Sequence, residues 1–254
     1  MCSRFLLLRQ HYDDLLNRLG IARRVDTVSR FEIAPGTAIA VVRQTAPATG
    51  VLSSALPVRT AELLRWGFVP AWAKAVESRP LINAHAETVA LKPTFRDAFR
   101  TRRCVIPASG YYEWQTAGRT KKPWLVQRRD QQPFAFAGVW ESWRGLDAPP
   151  LETCALLTTE PNETTREIHD RMPVMLTVEQ CETWLTPEAD AAALTPLLQS
   201  SPAQDLSAVA GTTRTELLAT SSSTALEDVF AGWIPGSTRP AASPGADPFM
   251  PWFS

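Results

Sequence analysis

The sequence contains few cysteines, only three histidines and no long apolar run. Its four cysteines are widely spaced and include no C-x-x-C pair, which argues against a zinc site and against a disulfide framework. The apolar run at residues 5–8 is too short for a signal-peptide core, and no stretch approaches the length of a membrane span. We therefore expect a soluble, cytoplasmic protein that needs no metal or other cofactor.

The formal net charge is zero, but the charges are unevenly distributed. Residues 1–130 carry 21 Lys and Arg against 10 Asp and Glu, whereas residues 131–254 carry 5 against 16. A basic half suggests a polyanionic partner, unless the two halves neutralise each other within one fold. The densest basic cluster has four arginines within residues 96–103, and it predicts a surface for that partner.

Short apolar segments separated by turns dominate the middle of the chain. Strands are predicted at residues 37–42, 62–69, 104–107, 111–115, 124–128, 134–140 and 153–159, and helices at residues 11–19, 93–103, 161–169 and 178–198. Regular short strands favour a curled or barrel-like sheet over βαβ units. The pattern decays after residue 210, and residues 235–254 include five prolines. We expect one domain over residues 1–210 and a largely flexible extension over residues 211–254.

Cys2 has the most distinctive chemistry in the chain. A small second residue favours removal of Met1, by cellular processing or by the protein itself, and the chain would then begin with Cys2. Its α-amine has a reference pKa of about 7.7–8.0 and its thiol one of about 8.5. The amine can form a Schiff base with an aldehyde, and the adjacent thiol can close on that imine as a thiazolidine. A lone cysteine at this position is by itself also compatible with no function.

Three polar residues in apolar surroundings are candidates for chemistry, and each has a structural alternative. Glu113 could carry protons if it faces inward, although strand alternation alone favours a solvent-facing carboxylate. Asn83 could bind a sugar hydroxyl or cap a helix. His169 is the best general acid or base near neutral pH, or else a cation at a helix end.

The tryptophans offer a possible stacking surface for bases. Trp66, Trp114 and Trp124 all lie in apolar segments. A base stacked on an aromatic side chain contributes about 1–3 kcal/mol. For any one of the three, packing in the core is the favoured interpretation.

Five motifs occur in a fixed order along the chain. They are Met-Cys-x-Arg-Phe at the N-terminus, Arg-Trp-Gly-Phe-Val-Pro at residues 65–70, Ile-Asn-Ala-x-Ala-Glu at 82–87, Arg-Cys-Val-Ile-Pro-Ala-x-Gly-Tyr-Tyr-Glu-Trp at 103–114 and Ile-His-Asp-Arg-Met-Pro at 168–173. Over about residues 2–185 the chain resembles the SRAP family, the SOS response-associated peptidases. The resemblance implies a single α+β domain with a barrel-like, mainly antiparallel β core flanked by short helices.

The resemblance also implies a function in the DNA damage response. Members of the family bind single-stranded DNA, or single-strand/duplex junctions, that contain an abasic site, whose ring-opened deoxyribose exposes an aldehyde. Their N-terminal cysteine forms a thiazolidine DNA–protein crosslink, which shields the lesion from strand cleavage. The expected protein is a monomer that associates with the nucleoid during repair. It removes Met1 by its own peptidase-like activity and has a lyase-type activity.

Roles follow from the resemblance position by position. Cys2 is the nucleophile, Asn83 orients the cysteine and the opened sugar, Glu113 moves protons, and His169 acts on the sugar oxygen and in reversal of the crosslink. The positions implied in DNA binding are Arg4, Trp66, His85, Trp114 and Thr158.

Two residues depart from the family pattern. Ser3 replaces the usual glycine, so the backbone beside the nucleophile loses conformational freedom. His85 replaces an arginine, so a permanent positive charge is lost, which should alter DNA affinity or its pH dependence. The family's last conserved region, around residues 206–213, matches poorly.

Three other functions remain open from the sequence. An N-terminal-nucleophile amidohydrolase also exposes a cysteine after Met1, but the Asn-Gly and Gly-Asp elements of such sites are missing from the chain. A cysteine peptidase would use Cys2 with His169 as its base. A non-covalent single-strand binder would show salt-sensitive binding without a covalent product.

Overall fold

The computed structural model describes residues 2–45, 58–145 and 149–211, which lie within one compact unit. Apart from Gly211, the predicted C-terminal extension lies outside the described residues. No helix in the described part is long and apolar enough to cross a membrane.

Thirteen strands and four α-helices make up the described part of the chain. The strands are β1 Arg4–Leu7, β2 Arg30–Ile33, β3 Ala38–Thr45, β4 Val58–Trp66, β5 Asn83–His85, β6 Arg103–Ala108, β7 Gly110–Ala117, β8 Thr120–Arg128, β9 Phe134–Trp143, β10 Leu151–Thr159, β11 Met172–Pro173, β12 Met175–Leu176 and β13 Leu206–Ala210. The helices are α1 Arg9–Arg18, α2 Arg96–Thr101, α3 Val178–Leu185 and α4 Ala191–Leu194, with 3₁₀ turns at Thr195–Leu198 and Ala203–Asp205.

A closed ring of five strands forms the centre of the fold. The strands follow the order β10, β4, β3, β6 and β9, and β9 pairs again with β10. Only the β4–β10 contact within this ring is parallel. Closure pairs both edges of each strand in the ring, and fully buried side chains such as Phe136 and Leu156 fill the core. The predicted barrel-like, mainly antiparallel α+β fold is therefore confirmed.

A second sheet carries the N-terminus. Its strand order is β13, β8, β7, β1 and β2, and every contact is antiparallel. Phe5 of β1 packs edge-on against Trp66, with ring centroids 5.3 Å apart, and against Phe136 at 5.6 Å. These contacts fix the first residues of the chain on the barrel core.

Helix α1 forms where the apolar spacing predicts a helix. Tyr12, Leu15 and Leu16 are buried on one face, as expected from a repeat of three and four residues. The chain leaves the helix through Gly20, whose φ of +65° is readily adopted only by glycine.

Two of the predicted helices are wrong in whole or in part. Residues 161–169 form a series of turns, because the Asn162 side chain accepts from the backbone N–H groups of Thr164 and Thr165, both at 3.1 Å, and so competes with helical bonding. The predicted helix at residues 178–198 is broken after α3. Thr186 precedes Pro187 and has extended dihedrals (φ −68°, ψ 117°), as expected for a residue before proline.

The predicted basic surface at residues 96–103 forms only in part, since Arg96 and Arg100 are exposed but Arg102 and Arg103 are not. The buried guanidinium of Arg103 donates to the carbonyl oxygens of Trp184 at 2.8 Å and Thr186 at 2.6 Å. Arg102 pairs with Glu141 at 2.8 Å. The sequence clusters these charges, but the strand that begins at Arg103 turns two of the four arginines toward protein partners.

Candidate active site

Parallel pairing between β5 and β10 creates one side of the candidate site. Asn83 lies opposite Leu156, and His85 lies opposite Thr158. On the other side, Arg4 of β1 pairs with Tyr112 of β7, so the residues before Arg4 run toward Glu113. Segments far apart in sequence therefore converge on the N-terminus.

Asn83 contacts the proposed nucleophile directly. Its Nδ2 donates to the carbonyl oxygen of Cys2 at 2.9 Å. Its Oδ1 is buried and has no hydrogen-bond partner within the described residues, so it is available to a ligand. Because Asn83 lies in a strand, the alternative of a helix N-cap is excluded.

The Cys2 side chain is fully buried, and its thiol is directed at the carbonyl oxygen of Arg4, 3.8 Å away. Burial raises the pKa of the Cys2 thiol well above its usual range, and the nearby charge of Glu113 raises it further. The sulfur is therefore a neutral thiol at physiological pH, not a thiolate.

Glu113 faces inward, with only 4% of its surface exposed. Its Oε1 accepts the backbone N–H of Trp114 at 3.3 Å. Burial raises the pKa of Glu113, while the positive charge of His169 opposes that shift. The alternation argument for a solvent-facing carboxylate fails because four consecutive residues of β7, Gly110 to Glu113, are buried on both faces of the strand.

His169 follows the turns after β10 and does not lie at a helix end. Its Nδ1 accepts the backbone N–H of Arg171 at 3.1 Å and also lies 2.7 Å from Oδ1 of Asp170. The two contacts require opposite protonation of Nδ1. The Arg171 amide can only donate, whereas Asp170 is 86% exposed and readily solvated, so the backbone bond decides. The neutral ring then carries its proton on Nε2.

The turns that carry His169 are tied to β7. Gln115 of β7 donates from Nε2 to the carbonyl oxygen of Glu167 at 2.6 Å. His169 lies close enough to Glu113 that a protonated ring would lower the pKa of that carboxyl group. The four residues predicted to be catalytic (Cys2, Asn83, Glu113 and His169) are thus brought to one region of the fold.

The residues predicted to bind DNA have different environments. Thr158 is fully buried, and its Oγ1 has no hydrogen-bond partner in the described part of the chain. Arg4 is half-buried, donates to the Ser3 carbonyl oxygen at 2.7 Å and pairs with Glu32 at 3.2 Å. Trp114 is partly exposed. Trp114 therefore presents surface that a bound strand can use directly, whereas Thr158 contributes a buried hydroxyl without a partner in the described residues.

His85 is a weak source of positive charge. Burial and the neighbouring Arg171 both lower its pKa, so the ring is neutral at physiological pH. Arg171 makes a two-bond pair with Glu87, both bonds being 2.9 Å, and also donates to the carbonyl oxygen of Thr158 at 2.6 Å. Arg171, the permanent cation next to His85, is therefore already bound to protein groups.

Trp66 lies in the core. It has no exposed surface, and its Nε1 donates to the carbonyl oxygen of Ile82 at 2.9 Å. A ring without accessible surface cannot stack on a base in this structure, so Trp66 supports the segment leading to Asn83 instead.

Tyr111 is a polar residue of the site that the sequence analysis did not identify. It is buried, and its hydroxyl has no hydrogen-bond partner within the described residues. Burial raises the pKa of Tyr111 well above its usual range, and the charges of Cys2 and Glu113 add to this effect. The sequence did hold a signal for Tyr111. It lies two residues from Glu113 on a predicted strand, and this spacing places both side chains on one face.

Comparison with known proteins agrees with this arrangement. A family model described as SOS response associated peptidase (SRAP) matches residues 1–215. The chain belongs to the SRAP family. The match covers every segment that contributes to the candidate site.

Two curated relatives of this SRAP chain come from bacteria. The abasic site processing protein YoqW of Bacillus subtilis (strain 168) is 38% identical over 213 residues, which cover 82% of this chain and 91% of the relative. The abasic site processing protein YedK of Escherichia coli (strain K12) is 29% identical over 195 residues, which cover 74% and 81%.

A solved structure has the same fold. The crystal structure of a protein from Bacteroides thetaiotaomicron matches with a TM-score of 0.72 and 25% sequence identity, covering 86% of this SRAP chain and 94% of the other.

Proposed function

We propose that this SRAP protein recognises abasic sites in single-stranded DNA and captures them as a thiazolidine crosslink through Cys2, after removal of Met1. The relatives named as abasic site processing proteins support the substrate. The observation that supports the chemistry is the 2.9 Å bond from Asn83 to the Cys2 carbonyl oxygen, which holds the N-terminus close to buried Glu113. We further propose that the protein acts as a monomer in the cytoplasm, at the nucleoid during repair.

Schiff-base formation comes first in this proposal. Because burial keeps the Cys2 thiol protonated, the α-amine is the better initial nucleophile. The amine nitrogen bonds to the C1′ aldehyde carbon, and the resulting carbinolamine loses its hydroxyl group as water to give the imine. Glu113, whose pKa is raised by burial, supplies the proton for the departing water and accepts a proton from the nitrogen.

Ring closure then needs no redox partner. The Cys2 sulfur bonds to the former aldehyde carbon, the C=N double bond becomes single, and the thiol proton passes to the nitrogen. An imine that does not close leaves the strand open to β-elimination, which is the proposed lyase-type outcome. The thiazolidine protects the strand because it removes the imine that promotes that elimination.

The remaining polar groups orient the opened sugar. Asn83 Oδ1 and Thr158 Oγ1 are buried groups without partners in the described chain, and they are suited to the sugar hydroxyls. His169, with its proton on Nε2 in the neutral ring, is suited to donate to the sugar ring oxygen as the ring opens, and the same group can act in reversal of the crosslink.

A trans-acting cysteine peptidase is less well supported. Such a site needs a thiolate activated by a base, whereas burial raises the pKa of the Cys2 thiol and its hydrogen bond goes to the Arg4 carbonyl oxygen. Peptidase-like chemistry remains part of the proposal only for the Met1–Cys2 bond.

A denaturing-gel assay tests the proposal. The protein is incubated with a single-stranded oligonucleotide carrying one abasic site. We expect a heat-stable shifted band, which is absent with an intact oligonucleotide and with Cys2→Ala. Cys2→Ser keeps the amine but lacks the thiol, so its band should require borohydride reduction. Cys181→Ala, which removes another buried cysteine, serves as the matched control and should crosslink normally.

Two outcomes would contradict the proposal. One is a wild-type band that itself requires borohydride, since it would indicate an open imine. The other is mature protein whose intact mass retains Met1, because a blocked amine cannot form the ring. Glutamine hydrolysis without any DNA adduct would favour the amidohydrolase.

A further inference from the structure

The β7–β8 hairpin extends beyond the strands on either side of it. β1 pairs with β7 only as far as Tyr112, and β13 pairs with β8 only as far as Trp124. Residues 115–122, here called the hairpin arm, pair only with each other within the described part of the chain. The turn at Gly118 lies four residues past Trp114, so the arm extends about 13 Å from the segment that carries Glu113.

The hairpin arm is basic and has no acidic counterpart. Its cations, Arg119, Lys121 and Lys122, are exposed, and none has an acidic partner among the described residues. No acidic residue occurs between residues 114 and 129. By contrast, four other exposed arginines of the described residues, Arg9, Arg18, Arg96 and Arg166, each pair with a carboxylate. The arm is therefore a local source of unneutralised positive charge.

One face of the hairpin joins this charge to the active site. The register places Glu113 opposite Trp124 and Gln115 opposite Lys122, so all four side chains lie on the same face. The Lys122 Nζ lies 5.1 Å from the centre of the Trp124 ring, within cation–π range.

Hydrogen bonds also hold this face in place. Trp124 donates from Nε1 to Gln115 Oε1 at 3.2 Å, and Gln115 donates to the Glu167 carbonyl oxygen at 2.6 Å. Contacts thus run without a break from the Lys122 ammonium through the Trp124 ring and the Gln115 amide to Glu167, two residues before His169. The arm is connected to the site by side-chain contacts as well as by the β7 backbone.

We propose that the hairpin arm binds backbone phosphates of the damaged strand on one side of the abasic site, and that Lys121 and Lys122 make the contacts. The inference rests on the proposed function, since it needs a strand threaded past Cys2. Lysine is a point charge that binds phosphate without reading sequence. Lys122 and Lys121 lie opposite Gln115 and Thr116, one and two residues past Trp114, so they are displaced about 3–7 Å along the strand. At the 3.4 Å spacing of stacked phosphates, this corresponds to about one to two nucleotides from the lesion.

The test uses an oligonucleotide with a tetrahydrofuran abasic analogue, which has no aldehyde and so reports non-covalent binding alone. Fluorescence anisotropy compares the wild type with Lys121→Gln/Lys122→Gln at several salt concentrations. Each lost phosphate contact lowers the single-strand salt slope by about 0.7, so two contacts lower it by about 1.4. We expect binding about 25-fold weaker at 0.1 M salt, with the two proteins converging near 1 M.

The matched control is Arg96→Gln/Arg100→Gln, which also removes two exposed positive charges. Helix α2 leads into β6 at Arg103, whereas β7 follows the opposite end of β6 at Ala108. This control should keep the wild-type slope. Melting temperatures of both variants should match the wild type, since all four side chains are exposed.

Oligonucleotides with only a 5′ or only a 3′ flank locate the contact. The lysine variant should lose affinity for one of the two and bind the other as the wild type does. Shortening the sensitive flank below about two nucleotides should abolish the difference. An unchanged salt slope would overturn the inference and leave the arm free for another partner. An equal loss with both flanks would overturn it too, because it would indicate a general charge effect.

Failure of the proposed function is distinguishable from failure of this inference. It would appear as a wild-type protein that does not crosslink an aldehyde-bearing strand.

Discussion

Arg103 provides a sharp test of whether charge clustered in the sequence faces DNA or the protein interior. Its guanidinium donates from Nε to Trp184, from Nη1 to Phe99 and Arg100 at 2.9 Å each, and from Nη2 to Thr186, all at carbonyl oxygens. Burial lowers the pKa of the guanidinium. The side chain thus connects the C-terminal ends of α2 and α3 by hydrogen bonds.

The size of the effect follows from these bonds. A hydrogen bond to a charged group contributes about 1.5–3 kcal/mol, and the losses within one network do not add fully. Arg103→Ala leaves four carbonyl groups without their donor, so we expect a loss of about 3–5 kcal/mol in the free energy of unfolding. For a domain of this size that corresponds to a fall in Tm of about 6–20 °C. Arg103→Lys keeps a charge but not the planar fork, and should lose about half as much.

Urea unfolding followed by tryptophan fluorescence measures the loss. Arg100→Ala is the control, because the Arg100 side chain is exposed and only its backbone accepts from Arg103. It should change stability by no more than about 0.5 kcal/mol. The reasoning is refuted if Arg103→Ala is as stable as Arg100→Ala and instead loses DNA affinity, because that would place Arg103 on a binding surface.

Two further predictions concern buried groups of the site. Burial raises the pKa of Glu113, so its contribution to stability is fully present below the unfolded pKa of about 4.3 and is lost as pH rises through the folded value. Glu113→Gln cannot ionise, so the unfolding free energy of the variant should change less with pH over this range than that of the wild type. If the variant lost as much stability as the wild type over this range, the assignment to Glu113 would be contradicted. Tyr111→Phe removes a buried hydroxyl without a partner in the described chain, so chemical denaturation should show stability unchanged or raised by about 1 kcal/mol. A loss above about 1 kcal/mol would mean that the hydroxyl has a structural partner.

The fold was largely predictable because its strands are marked by local pattern. Strands β6, β7, β9 and β10 were each located within a few residues, since apolar runs bounded by turns need no distant information. Six strands, β1, β2, β5, β11, β12 and β13, were not predicted. β5 has only three residues, and its stability comes from parallel pairing with β10, which no local pattern reveals.

The candidate site was predicted through its motifs and not through local chemistry. Strand alternation favoured an exposed Glu113, because it assumes that one face of the strand contacts solvent. In β7, residues 110–113 are buried on both faces. The helix predicted before His169 failed for a different reason, since the Asn162 side chain takes the backbone donors that a helix would use. The family motif implies that Trp66 binds DNA, but Trp66 is buried against Phe5, as the core-packing interpretation of the tryptophans predicted.

The dispersal of the site along the chain has a consequence for protein synthesis. Cys2 leaves the ribosome first, whereas His169 is added 167 residues later, a delay of roughly 10–30 s at ordinary translation rates. During that interval an unblocked aminothiol would be open to any small aldehyde in the cell. If release of Met1 requires the folded site, the reactive end is uncovered only in finished molecules, and Met1 protects the amine of Cys2 until then.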